Sequence, residues 1–369
     1  MKKYIGIFLM TLLSTISVAQ KNFNLVVGTY TAPGKSEGIY TYDFDVITGN
    51  TSLKNIAKGI PNPSYLAISL DKKYAYAVNE TGDKSAVTAF KYDSKSGALT
   101  FLNKVDSHGA DPCFIIVDDQ NVLVANYSGG SLAVFSRNAD GSLSEAVQVI
   151  KHTGKSIDPK GRQESAHVHM VKFTPDHKYL VVNDLGEDNT YIYNYNPVGK
   201  DQTLTDKSVI KTNAGTGPRH IVFSPNGKFA YLVHEFNGSI TAFSYKNGEL
   251  TKLQEIGTTA KDFNGAVDAA DIHVSDDGKF LYGTNRGDAN SISTFAILPN
   301  GKLQFIETLS TLGKGPRNFT IDPSGKFLLV AHQYTNNVVI FNRDIKTGKL
   351  TDSEKRIDVG APVCLVFDK

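Results

Sequence analysis

Histidines, arginines and glutamates stand at matching places of a repeated phrase in this sequence. Gly217-Pro218-Arg219-His220 opens one copy, and His234-Glu235 closes the apolar run that follows. Corresponding places elsewhere hold His167 and His169, Arg317 with Asn318, Asn285-Arg286, and Asn126 with Tyr127. A guanidinium grips a carboxylate or phosphate in a forked geometry. It also stabilises the oxyanion formed when water adds to an ester carbonyl. A carboxylate or an imidazole can take the proton from that water. Glu235, His169, Arg219 and Arg286 are therefore the candidate catalytic set, with Glu235 or His169 as base. His167, His220, Arg317 and Asn126 are candidate substrate-binding groups. The chemistry they would serve is hydrolysis of an anionic lactone without metal, cofactor or covalent intermediate.

Each residue also has a duller use. Arg219 and Arg317 could pair with carboxylates between repeats, and Glu235 could simply satisfy an arginine. His167 and His169 alternate along a strand and face opposite ways, and His169 aligns with Arg219. Asp271 and His273 read as structural, and His108 and His152 as solvated loop residues. Other chemistries lack their motifs. There is no Cys/His spacing for zinc and no phosphate-cradling glycine loop. The chain has no tryptophan, which excludes the Trp-containing repeat boxes.

The elements that must position these groups are legible as repeats. The phrase Gly217 to Leu250 recurs from Asn62, Asp111, Ala166, Ala270 and Gly315 at intervals of roughly 50 residues, the span of one four-stranded propeller blade. Each copy reads as a short apolar strand, a Pro-Asx-Gly or Asp-Gly turn, an aromatic-rich second strand, a third strand with Ile/Val-x-x-Phe, and a polar fourth strand after Gly-x-Leu. Six copies are complete. Asn24 to Gly28 matches a second strand and Gly360 to Phe367 a first strand, so the two ends together make a seventh blade and close the ring. Adjacent strands run antiparallel, so the start of each first strand and the end of each second strand converge on one mouth of the central channel. The stretch between Lys151 and Glu164 interrupts the spacing and reads as a loop at the rim of that mouth.

Composition narrows the partners. A net charge of +2 gives no field for nucleic acid or an anionic membrane. The expected partner is a small anionic lactone or sugar acid, bound by a monomer. Lys2-Lys3, the apolar run to Val18 and the small residues Ser17-Val18-Ala19 read as a cleaved signal peptide over residues 1–19. The run falls short of the roughly 20 residues of a span. Residues 20–369 are then one exported propeller domain, periplasmic or secreted. Cys113 and Cys364 sit beside apolar runs and read as separate buried thiols, although an oxidising compartment permits a bridge.

The same residues carry a resemblance. Gly217-Pro218-Arg219-His220, His234-Glu235 and Tyr282-Gly283-Thr284-Asn285-Arg286-Gly287 resemble the seven-bladed β-propeller lactonase family, as do Gly28-Thr29-Tyr30-Thr31 and Ala166-His167-Val168-His169. That family includes propeller-type 6-phosphogluconolactonases and fungal carboxy-muconate cyclases. In the cyclases a His, two Arg and a Glu are implicated, and the matching positions here are His169, Arg219, Glu235 and Arg286. Ala166 departs from the proline common in the family. The resemblance implies lactone hydrolysis. The alternatives are a binding propeller without turnover and a cyclase or isomerase in which Glu235 moves a proton at carbon.

Overall fold

The computed structural model describes residues 21–369 except 33, 159, 160 and 261. The expected signal peptide lies outside the described residues. Seven four-stranded antiparallel sheets stand around an axis, as the repeats predict. Numbered from the first complete copy, the innermost strands of blades 1 to 7 are Leu66–Ile68, Pro112–Val117, Val168–Phe173, Pro218–Phe223, Ala269–Val274, Pro316–Ile321 and Pro362–Phe367. Blade 7 takes its other three strands from the opposite chain end, Asn22–Thr29, Gly38–Asp45 and Thr51–Lys58. There Leu25 pairs with Phe367 and Gly28 with Cys364. Asp368 fastens the joint by accepting from the Asn24 backbone and side-chain amides at 2.8 Å each and from Tyr92 of blade 1 at 2.9 Å. Among the described residues no helix is long and apolar enough to cross a membrane.

The sequence pattern explains the packing. Second strands such as Asn121–Asn126 and Phe280–Asn285 are buried throughout, whereas fourth strands such as Glu249–Gly257 alternate towards solvent. Aliphatic and aromatic side chains from facing blades fill the wedges between sheets, each fully buried one contributing roughly 1.5–3 kcal/mol. Tyrosines of the second strand reach into the next blade and donate to the glycine in the turn before its fourth strand: Tyr76 to Gly141 at 2.9 Å, Tyr231 to Gly301 at 3.1 Å and Tyr282 to Gly348 at 2.7 Å. The first hairpin is tied in blade 4 by Ser224 Oγ, which donates to Asn226 Oδ1 at 2.7 Å and accepts from Phe229 N at 3.0 Å. Ser69, Thr174 and Ser275 repeat the device.

Candidate active site

A register shift in the innermost strands aims side chains at the axis. In blades 2, 3, 4, 6 and 7 the ladder skips one residue near the strand start, and blade 5 skips two. The skipped residues are Cys113, His169, Arg219, Arg317, Val363 and the pair Ala270-Asp271. A bulged residue is left out of the ladder and its side chain is re-aimed. Gly217 makes the approach possible in blade 4. Its φ of +65° suits glycine, and a Cβ there would meet the Phe236 ring at 2.9 Å.

A second ring lies beside the first. The residue after each second strand is Tyr30, Glu80, Tyr127, Leu185, Glu235, Arg286 or Gln333. All seven are pinned alike, each backbone N–H donating to the loop before its own blade's first strand: Glu235 to Gly217 O at 2.7 Å, Arg286 to Asp268 O at 2.9 Å, Glu80 to Asn62 O at 3.1 Å. The residue just before turns into its blade instead. Asn126 belongs to that inner set: its amide donates to Ser107 O at 2.9 Å and to Ser131 Oγ at 3.1 Å. Asn79, Asn285 and His234 are spent in the same way. The structure thus does not bring Asn126 to the mouth; its neighbour Tyr127 is there instead.

Glu235 is fully buried at the centre of the catalytic set. Its Oε2 stands 2.9 Å from Arg219 Nε and 4.0 Å from His169 Nε2; its Oε1 stands 2.6 Å from Arg162 and 2.9 Å from Arg286. Burial alone would raise this carboxyl. The charges of Arg286, Arg219 and Arg162 overcome it and hold it well below the usual carboxylate range. Three guanidiniums on one carboxylate leave little basicity. The structure therefore favours His169 over Glu235 as a proton acceptor. Burial, and next Arg219, keep the His169 imidazole neutral well below its ordinary value. Among the described residues its Nε2 makes no hydrogen bond, and its Nδ1 faces Cys113 Sγ at 3.8 Å.

That contact is not a nucleophilic Cys–His pair. Burial, then Glu80, pushes the Cys113 thiol up, and Cys113 donates to His169 O at 3.3 Å. A protonated thiol is a poor nucleophile. Cys113 and Cys364 are separate buried thiols.

Deeper in the channel, His220 links Arg219 to Asp271. Arg219 Nη1 lies 3.3 Å from His220 Nε2, and His220 Nδ1 lies 2.8 Å from Asp271 Oδ1. Arginine can only donate, so Nε2 accepts and Nδ1–H donates to the carboxylate. Burial, then Arg219, brings His220 down to about 4. Asp271 also accepts from Asn318 at 2.6 Å and faces His273 at 3.0 Å, the structural use expected of it. His220 is thus a support for Arg219 more than a surface for substrate. His167 stacks on Tyr127, ring centroids 4.5 Å apart, at the rim.

Two further placements differ from the sequence reading. Arg162, in the interrupting stretch, was not singled out. It donates to Glu235, lies 2.7 Å from the Tyr127 hydroxyl and sits over the Phe236 ring. Only the position of that stretch in the repeats hinted at it. His152 is not a solvated loop residue. It is buried, with Nδ1 2.7 Å from Asp184 and Nε2 2.9 Å from Tyr193. With Gly154 on Glu187 and Ser156 on Asp188, it anchors the stretch that delivers Arg162. His152, Asp184 and Glu187 are close enough to share a cation, but hydrogen bonds within the protein already engage all three.

Across the mouth stands a second carboxylate. Glu80 Oε2 accepts from Ser64 Oγ at 2.6 Å and from the Tyr30 hydroxyl at 2.8 Å. Arg317 lies over the Tyr30 ring, 5.6 Å from its centroid. Arg219, Arg317 and Arg286 all act electrostatically on His169, which ties both sides of the mouth to one site.

Comparison with known proteins agrees with this architecture. The family model described as lactonase, seven-bladed β-propeller, matches residues 24–367. A Bacillus subtilis strain 168 protein named 6-phosphogluconolactonase is 40% identical over 346 residues, covering 92% of this chain and 97% of its own. A Formosa agariphila protein of the same name is 38% identical, with 88% and 94% covered. The solved structure of a Pseudomonas aeruginosa periplasmic gluconolactonase superposes with a TM-score of 0.89 at 37% identity, with 94% and 99% covered.

Proposed function

Because this chain belongs to the seven-bladed β-propeller lactonase family, we propose that it is a carboxylic-ester hydrolase that opens a sugar lactone at the Glu235 mouth. His169 Nε2 takes a proton from water as the water oxygen bonds to the lactone carbonyl carbon. Arg286 and Arg219 stabilise the oxyanion. The tetrahedral adduct collapses, the ring C–O bond breaks, and the leaving oxygen recovers the proton from His169. The product is an open-chain hydroxy acid, released as its carboxylate. Glu235 holds Arg162, Arg219 and Arg286 around the reacting carbonyl and is not the base.

The observation that carries this reading is a neutral imidazole with a free nitrogen beside a carboxylate already engaged by three guanidiniums. One ring supplies every one of these groups, so we propose that a monomer suffices. The basic and apolar start of the sequence, together with a relative named as periplasmic, supports export.

The test is initial-rate hydrolysis of aldonolactones, corrected for spontaneous opening. His169→Ala should lower kcat by roughly 10²–10⁴-fold. In the wild type kcat/KM should stay flat as pH falls through 6.5, because the folded imidazole gains its proton only well below that value. Loss of rate centred near pH 6.5, or a His169→Ala enzyme as fast as wild type, rejects the assignment.

A further inference from the structure

We propose that Lys172 is a modification site, a nucleophilic amine at the far end of the central channel that a lactone acylates. This goes beyond the lactonase reading, because the step needs no turnover at the Glu235 mouth.

The strand register puts one residue of each blade into a ring below the mouth. It is the residue that pairs with the fourth position from the end of the second strand. Four blades hold an aliphatic residue there, and blades 3, 5 and 6 hold Lys172, His273 and Thr320. All seven are half-buried, between neighbours that turn into the wedges. Lys172 follows His169 by three residues, so it lies about 10 Å farther down the channel. A cavity of about 360 Å³ opens there. Tyr65, Phe114 and the three polar ring residues line it, and exposed Asp276 and Lys369 form its rim.

The polar groups of this cavity are paired, with Lys172 as the exception. His273 stands 3.0 Å from Asp271, and Lys369 stands 2.9 Å from Asp276. The Lys172 amine has no hydrogen bond and no ion pair among the described residues. Burial holds it below its ordinary value, and the Asp271 charge offsets this only in part. More of the amine is therefore free base near neutral pH than in an exposed lysine. An unpaired amine against apolar walls is how a protein makes lysine a nucleophile.

The step balances without a co-reactant. The Lys172 Nζ lone pair adds to the lactone carbonyl carbon. An amide C–N bond forms and the ring C–O bond breaks. The proton lost by the amine passes to the departing alkoxide, which becomes a hydroxyl. The product cancels the Lys172 charge and seats a polyhydroxy acyl chain in the cavity. Thr320, whose hydroxyl makes no hydrogen bond among the described residues, stands on the facing wall to receive it.

The experiment adds δ-gluconolactone repeatedly to wild type and to His169→Ala, then measures the adduct on each lysine by proteolysis and mass spectrometry. Near pH 7.5, Lys172 should be acylated roughly 5- to 20-fold faster than Lys369 in both proteins. The ratio should shrink above about pH 10, where ordinary lysines lose their proton as well. Lys172→Met should lose the adduct and melt no lower than wild type, because the amine has no partner to leave behind. A lower melting temperature would show the amine engaged in the fold, against the proposal. Acylation of Lys172 no faster than that of Lys369 overturns it. So does labelling of Lys172 by N-hydroxysuccinimidyl acetate but not by the lactone, since the lactone is then not its acyl donor. If His169→Ala opens the lactone as fast as wild type, the catalytic assignment fails instead, and the comparison of lysines still decides this site.

Discussion

Glu235 and Glu80 occupy the same register position in blades 4 and 1, one residue past the second strand, and both face the channel mouth. Their surroundings differ. Glu235 meets three guanidiniums and is sealed from solvent, while Glu80 meets two hydroxyls and keeps one oxygen open. One carboxylate is a keystone for cations; the other is a hydrogen-bond acceptor that leaves a cation unclaimed. Residue type and position alone do not set the role of a side chain in a repeat protein. The neighbouring blades do.

The contrast can be broken most forcefully at the keystone. Glu235→Ala strands two deeply buried guanidiniums and a third at the rim. Breaking such a buried arrangement should cost about 3–5 kcal/mol, read as a lower urea midpoint, and should abolish turnover. Glu80→Ala, at the equivalent position, removes only two hydroxyl donations and should cost about 1–3 kcal/mol. Equal losses at the two sites would erase the distinction.

A middle-sized effect is expected from Tyr30→Phe combined with Ser64→Ala. These changes remove the hydroxyls that hold Glu80, freeing it to close on Arg317. KM for an anionic lactone should rise several-fold, roughly the net worth of one ordinary hydrogen bond. Arg162→Ala sharpens the contrast at the rim. Its side chain is 39% exposed, so stability should change by under about 1 kcal/mol, while kcat/KM should fall. A stability loss without a rate loss would make Arg162 merely structural.

The smallest expected effect is on pH dependence, and it concerns the residue just before Glu235. Burial brings His234 down to about 4 from 6.5. Between those values the unfolded chain binds more protons than the folded one. Stability from this group is therefore complete above about pH 6.5 and is lost as pH falls towards 4. His220 acts in the same window. His234→Asn, the residue found at the matching place in blades 1, 2 and 5, should flatten the fall in urea midpoint between pH 7 and 5. An unchanged slope would remove His234 from the account.

The ring of blades was legible because each blade repeats the same hydrophobic and turn pattern, and the chain ends supply complementary halves. His169, Arg219 and Arg317 were legible because the skipped position follows the repeat register. Asn126 misled because the last residue of the second strand and the next one look equally polar, yet strand alternation sends the first into the blade and the second, Tyr127, to the mouth. Arg162 was hidden because the stretch carrying it has no counterpart in the other blades. His152 looked solvated because a polar loop surrounds it in sequence; Asp184 and Tyr193, from the next blade, enclose it in space.

The skipped residue of the innermost strand has a consequence for how such a protein can change. Having no ladder partner, it is released from the strand pairing that fixes its neighbours. Blades 2, 3, 4, 6 and 7 place a thiol, an imidazole, two guanidiniums and an isopropyl group there while their strands stay alike. The scaffold therefore works as a turret of interchangeable sockets, in which a new reactivity can be tried one wedge at a time without reopening the ring.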